Sequence, residues 1–220
     1  MATRQELLKQ LEEDVEELVE VNEEEPKKSK VNKRGVALIL LLLINKETKK
    51  GYITKSSAVL NKGNIKKLIS DETILKSYLK EAVKRNKQIK YTRVVKKQAT
   101  IFSNQVKKEG IKKATKKLKV RTNNILTNET GFFKDKAAIF SGKQIAKKTG
   151  NIVFKEWVYG KVGSSKEPRE THQAADGQRQ LLTNDFIVGG VLTPGPRQFG
   201  DPSEDINCTC GIDIVVIEVN

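Results

Sequence analysis

The sequence predicts an α+β protein: a helical, lysine-rich N-terminal and middle part with a small C-terminal α+β domain ending in short strands. Three observations predict it. Apolar residues recur at three- and four-residue steps over much of the first 120 positions. Strand-like alternation with glycine- and proline-bearing turns belongs to the last 70. Charge then divides the 220-residue chain into three parts within a net +15. Residues 1–25 hold 2 basic and 10 acidic side chains, residues 26–150 hold 34 and 7, and residues 151–220 hold 6 and 10. The expected organisation is an acidic amphipathic helix or arm over 1–26, a basic, mostly helical region over 27–119 and a C-terminal domain over 120–220. Only 37% of residues are apolar and 5% aromatic, which suits one well-packed domain with charged helical parts. Two cysteines exclude a disulfide scaffold.

Residues 3–21 read as a helix, with Leu7, Leu8, Leu11, Val15, Leu18 and Val19 on one stripe and Thr3 and Glu6 spaced as a capping box. The stripe is too narrow to form a core alone. It needs a partner, an oligomer or the chain's own domain. Glu23-Glu24-Glu25-Pro26 ends the helix. Lys27 to Arg34 reads as a basic linker, close enough to the acidic run to pair with it. Val36 to Ile44 is an apolar run of nine residues, where a membrane span needs roughly 20. It reads as a buried helix or strand, and no membrane partner is expected. Gly51 and Gly63 read as breakers. Helical spacing resumes over 64–119, with Asp71-Glu72 placed to start a helix.

Within that region Lys107, Lys108, Lys112, Lys113, Lys116, Lys117, Lys119 and Arg121 crowd together with Glu109 as the one acid. Lys108, Lys112, Lys116 and Lys119 fall close to one helix face. Ordinary surface helices alternate signs to avoid self-repulsion. A one-sign stripe neutralises several phosphates without reading sequence. The competing reading is a solvated lysine-rich surface. Tyr91 and Phe102 are too sparse for base stacking. The expected partner is therefore a polyanion, most simply nucleic acid, contacted without reading its sequence.

The C-terminal part begins with Ile125-Leu126 leading into Thr127 to Gly131, after which a helical stretch carries Phe132, Phe133, Ala137, Ala138 and Ile139, and Gly150 ends the next helix. Ile152 to Tyr159 alternates as a strand, and Gly160 to Pro168 reads as a loop. Arg169-Glu170-Thr171-His172, Gly177-Gln178, the apolar run from Phe186, Pro194-Gly195-Pro196, Asn207-Cys208-Thr209-Cys210 and a last strand over 212–219 follow in order. This order resembles the phage Mu F-like minor head proteins, the phage head morphogenesis family. The matching residues are Glu129, Trp157, Arg169, His172, Gly177, Gln178, Phe186, Pro194, Gly195, Asn207, Cys208 and Cys210, and the likeness covers about residues 120–212. The family often has Arg-Thr before its glutamate, where this chain has Thr127-Asn128, and arginine between its cysteines, where this chain has Thr209.

The resemblance implies a capsid-interior, portal-associated structural protein that assists head assembly. It implies portal, major capsid or scaffold protein as partners and a place inside the virion after synthesis in the host cytoplasm. No basic-then-apolar start marks a secretory signal. The alternative is a delivered nucleic-acid-binding or toxin-like enzyme carrying a head-morphogenesis module.

Two readings of His172, Cys208 and Cys210 stand open. They suit a zinc site, with Asp176 or Glu129 as a fourth ligand, or a packed histidine beside two small buried thiols. No other cofactor is expected. No glycine-rich phosphate loop and no Gly-x-Ser-x-Gly is present. The expectation is that the chain is not an enzyme. Trp157, Arg169 and His172 are expected to hold one loop-rich domain together, with Arg169 paired to Glu129 or an aspartate.

Overall fold

The computed structural model describes residues 3–22, 24–160 and 169–219. Glu23 of the predicted helix stop and residues 161–168 of the predicted loop lie outside them. The architecture is α+β, as the sequence predicts.

Helix α1 (Arg4–Glu16) begins with the predicted capping box: Glu6 donates its backbone N–H to Thr3 Oγ1 at 3.2 Å, and Thr3 N–H reaches the Glu6 carboxylate at 2.5 Å. It stops earlier than its apolar spacing suggests, because Val19–Glu20 (β1) pair antiparallel with Lys30–Val31 (β2). The expected linker is thus a short ordered return through a 3-10 turn at Pro26–Lys28. Acids and bases pair across it, Lys28 with Glu25 at 2.9 Å and Lys30 with Glu20 at 3.7 Å.

Helix α2 (Lys33–Lys62) contains the apolar run and passes straight through Gly51. That glycine is not a breaker: a Cβ there would lie 2.7 Å from Thr130 Cγ2. It is a site of close helix approach. A 3-10 turn (Lys66–Leu68) leads to α3 (Asp71–Ile89), which opens on Asp71 and Glu72 as expected, and α4 (Tyr91–Glu109) follows. Gly110, with φ of +79°, turns the chain into α5 (Ile111–Thr149), a helix of 39 residues. The interruption expected at Thr127 to Gly131 is absent, because Leu126, Glu129, Thr130, Phe132 and Phe133 are buried and packing overrides local propensity there. Residue 120, read as a boundary, lies inside this helix.

Described residues fall into two compact units. One takes Met1–Glu47 and Val83–Leu126, the other Thr48–Ala82 and Thr127–Asn220. In the first, the α1 stripe is buried: Leu8, Leu11 and Val15 join Val36, Leu40, Ile44, Phe102 and Leu118 in one apolar cluster. The chain itself supplies the partner that the amphipathic helix requires.

In the second unit α5 is followed by β3 (Ile152–Val158), α6 (Glu170–Ala174), β4 (Arg179–Leu181), β5 (Phe186–Val188), β6 (Val191–Thr193), α7 (Pro202–Asp205) and β7 (Gly211–Ile217). The sheet has order β4-β3-β7, all antiparallel, with Trp157 opposite Ile212. β5 and β6 form a separate hairpin. Along β3 the side chains of Val153, Lys155 and Trp157 point inward, while Ile152 and Val158 stay exposed. On β7, Lys62 Nζ donates to the Ile214 carbonyl at 3.0 Å. The core gathers Tyr52, Tyr78, Phe133, Trp157, Phe186 and Ile214. Among the described residues no helix is long and apolar enough to cross a membrane.

Candidate functional site

The sequence singled out two regions, one in each unit. The first is the cationic turn from α4 into α5. Lys107, Lys108, Lys112, Lys113, Lys116 and Lys117 are exposed, while Lys119 and Arg121 are half-buried. Ala114, Leu118 and Thr122 take the inward face of α5, and lysines make up most of the exposed surface opposite, with Val120 exposed among them. Three cations already have intramolecular partners. Lys117 pairs with Glu109 at 2.5 Å, and Lys119 reaches Glu12 of α1 at 2.7 Å. Arg121 donates to Gln98 and Gln105, both at 2.9 Å. Hydrogen bonding from Lys117, helped by the charges of Lys108 and Lys113, holds the Glu109 carboxyl below its usual range. A shallow depression lies among Glu109, Lys113, Lys116, Lys117, Val120 and Arg121. Lys107, Lys108, Lys112, Lys113 and Lys116 face solvent, whereas Lys117, Lys119 and Arg121 bond within the unit.

The second region is the C-terminal cluster. His172 on α6 and Cys208 and Cys210 just before β7 are all buried, and their ligand atoms lie within 4.8 Å of one another. His172 Nδ1 is 3.6 Å from Cys208 Sγ and 3.7 Å from Cys210 Sγ. Its Nε2 is 2.8 Å from Glu204 Oε2 on α7. Phe199 stacks on the imidazole at 5.2 Å and Trp157 meets it edge-on at 5.6 Å. Phe186 packs edge-on against Trp157 at 5.4 Å. Both thiols are free. A hydrogen bond from Cys208 lowers the Cys210 thiol to about 7 against the opposing effect of burial, with the Gly160 backbone, Arg197 and Trp157 also lowering it. The Cys208 thiol is pushed up, first by that same bond and then by burial.

The other motif residues brace this cluster. Gly177, with φ of +75°, donates its N–H to the Trp157 carbonyl at 2.9 Å, and Trp157 N–H goes to Gln178 O at 2.9 Å. The Gln178 side-chain amide pairs with both backbone groups of Ile187. Asn207, at φ +58°, donates its N–H to Asn128 Oδ1 at 3.1 Å. Among the described residues, Arg169 has partners other than the expected Glu129 or aspartate. It donates to the carbonyls of Ser203 and Ile206 at 2.6 and 2.8 Å and lies 3.8 Å from Glu204, since α7 is the nearer element. The proposed fourth ligands are likewise elsewhere: Asp176 accepts the Tyr159 N–H at 2.8 Å, and among the described residues the cluster contains neither it nor Glu129.

Sequence reasoning missed Arg197, Asp135 and Glu204. Arg197 is buried at φ +61° and donates to Cys208 O at 2.7 Å and Asp135 Oδ2 at 2.6 Å. Asp135 Oδ1 accepts the Ile212 N–H at 3.0 Å. Burial pushes the Asp135 carboxyl up, opposed by Arg197 and by that backbone bond. The buried pair ties α5 to the Cys-x-Cys segment. Glu204 had a signal, because Asp201 with Pro202 forms a helix start that fixes its position. Nothing local marks Arg197 or Asp135.

The described chain is thus an α+β protein with a cationic helical surface and a buried Cys-His cluster. Sixty-nine residues, 31% of it, are 38% identical to NAD(+)–arginine ADP-ribosyltransferase EFV of Enterococcus faecalis. The match spans 14% of that protein's length. No family model matches the chain, and no solved structure matches it. The Enterococcus match corrects the expectation that the chain is not an enzyme. That expectation rested on missing nucleophile and phosphate-loop motifs, and such motifs cover only some reaction classes.

Proposed function

We propose that this chain is a minor head component of a tailed phage, placed inside the capsid near the portal, which assists head assembly and lies against packaged double-stranded DNA. The observation that carries the proposal is the convergence of residues from Trp157 to Cys210 on one braced cluster, in the order that resembles the head morphogenesis family. The exposed lysines of α5 supply an independent reason, since DNA at high density requires counterions and a lysine row replaces them. Portal, scaffold and shell protein are the partners this reading names.

Mass spectrometry of empty and full heads tests the placement. Presence in both, at a few copies per particle, is expected; absence from both overturns it. Titrating duplex DNA at rising salt tests the contact, with a steep negative slope expected and a slope near zero against it.

The Enterococcus match favours a second reading. The shared segment is then a carrier module, and the protein bearing it delivers ADP-ribosyl transfer from NAD(+) to arginine. Incubating the chain with labelled NAD(+) and an arginine-rich acceptor separates the two: transfer of label favours the carrier reading.

A further inference from the structure

We propose that His172, Cys208 and Cys210 bind one zinc ion through Nδ1 and the two sulfurs, with Glu204 as the carboxylate that orients the histidine. The inference stands on side-chain geometry and is independent of the role in the head.

Distances come first. Zinc held tetrahedrally lies about 2.3 Å from sulfur and about 2.0 Å from nitrogen, which sets a sulfur–nitrogen edge of about 3.5 Å. The two edges present are 3.6 and 3.7 Å. Both sulfurs therefore stand at the distance from Nδ1 that a shared ion requires, and the three ligand atoms all lie within 4.8 Å of one another. The Cys-x-Cys spacing produces this, because residues two apart on extended backbone present side chains to one side.

The tautomer comes next, assigned from its partner. Glu204 accepts the Nε2 proton at 2.8 Å. Nδ1 is then the unprotonated nitrogen, and it stands nearly equidistant from the two sulfurs. A histidine serving only as packing needs one acceptor or donor at Nδ1, whereas here two sulfurs converge on it. A carboxylate behind the far nitrogen is the usual companion of a metal-bound imidazole. Phe199 and Trp157 hold the ring plane, so the nitrogen is aimed before any ion arrives.

Charge completes the argument. Two thiolates and one neutral imidazole balance a divalent ion, so the loaded site is electroneutral and tolerates burial. Arg197, bonded to the Cys208 carbonyl and paired with Asp135, fixes the segment that carries the sulfurs. Binding releases the two thiol protons to solvent and changes no oxidation state. Thiolate donors select zinc over magnesium or calcium. Among the described residues three ligands converge, which leaves a fourth position open.

The full chain, expressed with zinc in the medium and purified without chelator, should retain about one zinc by elemental analysis. Cys208→Ser, Cys210→Ser and His172→Ala should each abolish retention. Glu204→Gln should keep the fold and weaken zinc binding by about 10–100-fold in competition with a chromophoric chelator. Cobalt(II) added to stripped wild-type protein gives a readout that does not depend on variants folding. A tetrahedral visible spectrum with thiolate charge-transfer bands is expected. A wild-type chain that is folded by circular dichroism, retains no zinc and gives no such cobalt spectrum overturns the inference. So does cobalt binding that survives loss of both cysteines.

Discussion

At the scale of single residues, the C-terminal unit is held by groups whose neighbours reverse the usual rules. Gly131 sits inside α5, where alanine is ordinarily about 1 kcal/mol better. A Cβ at this position would lie 2.5 Å from Arg197 Cζ, and that guanidinium is fixed by Asp135 and the Cys208 carbonyl. Gly131→Ala should therefore destabilise the protein by about 1–2 kcal/mol, the overpacking cost exceeding the propensity gain, as urea unfolding would show. Lys155 is the second case. It is buried on β3, donates to the Pro194 carbonyl at 2.7 Å and lies over the Phe186 ring at 4.5 Å. Burial lowers its ammonium to about 8. The unfolded chain then holds more protons than the folded one between that value and the ordinary lysine range, so stability rises as pH rises through this window. Below pH 8 both states are protonated and the folded state carries the full penalty. Denaturation midpoints from pH 7 to pH 10 should show this climb, and Lys155→Met should flatten it.

At the scale of elements, α5 is the informative case. Its first turns carry exposed lysines opposite the buried Ala114 and Leu118, and its later turns bury Phe132, Phe133, Ala137 and Ala138, so a single helix carries two chemistries. Lys112 and Lys116 are exposed. Replacing both with glutamine should leave circular dichroism unchanged and reduce the salt slope of DNA binding by about 2. Replacing Lys119, which is tied to Glu12, should instead loosen α1. Periodicity made most helices legible: the capping box at Thr3, the start at Asp71 and the stop at Gly150 follow from local chemistry. Continuity through Gly51 and Gly131 was not legible, because each glycine answers a side chain distant in sequence, Thr130 and Arg197. The cysteines and His172 were readable as a group, since they are rare residues in the chain. Their bracing by Glu204 and Arg197 required the fold, because those residue types are common and their spacing carries no period.

At the scale of the whole molecule, the chain builds two separate apolar cores, one around Phe102 and one around Trp157. The expected order of parts along the sequence did not anticipate that each compact unit is assembled from non-adjacent stretches. Single-sequence reading ranks local contacts first, and long-range pairing of helices leaves no local mark. Phe102→Ala should cost the first unit about 3–5 kcal/mol. Circular dichroism should report that loss, while fluorescence of Trp157, the one tryptophan, should keep a midpoint closer to wild type. The lysine that reaches the Ile214 carbonyl has one more effect. A terminal strand with open backbone acceptors recruits foreign chains, and here an ammonium group occupies an acceptor before a neighbour can. Lys62→Met should turn a monodisperse solution into one whose light scattering grows with concentration and storage time.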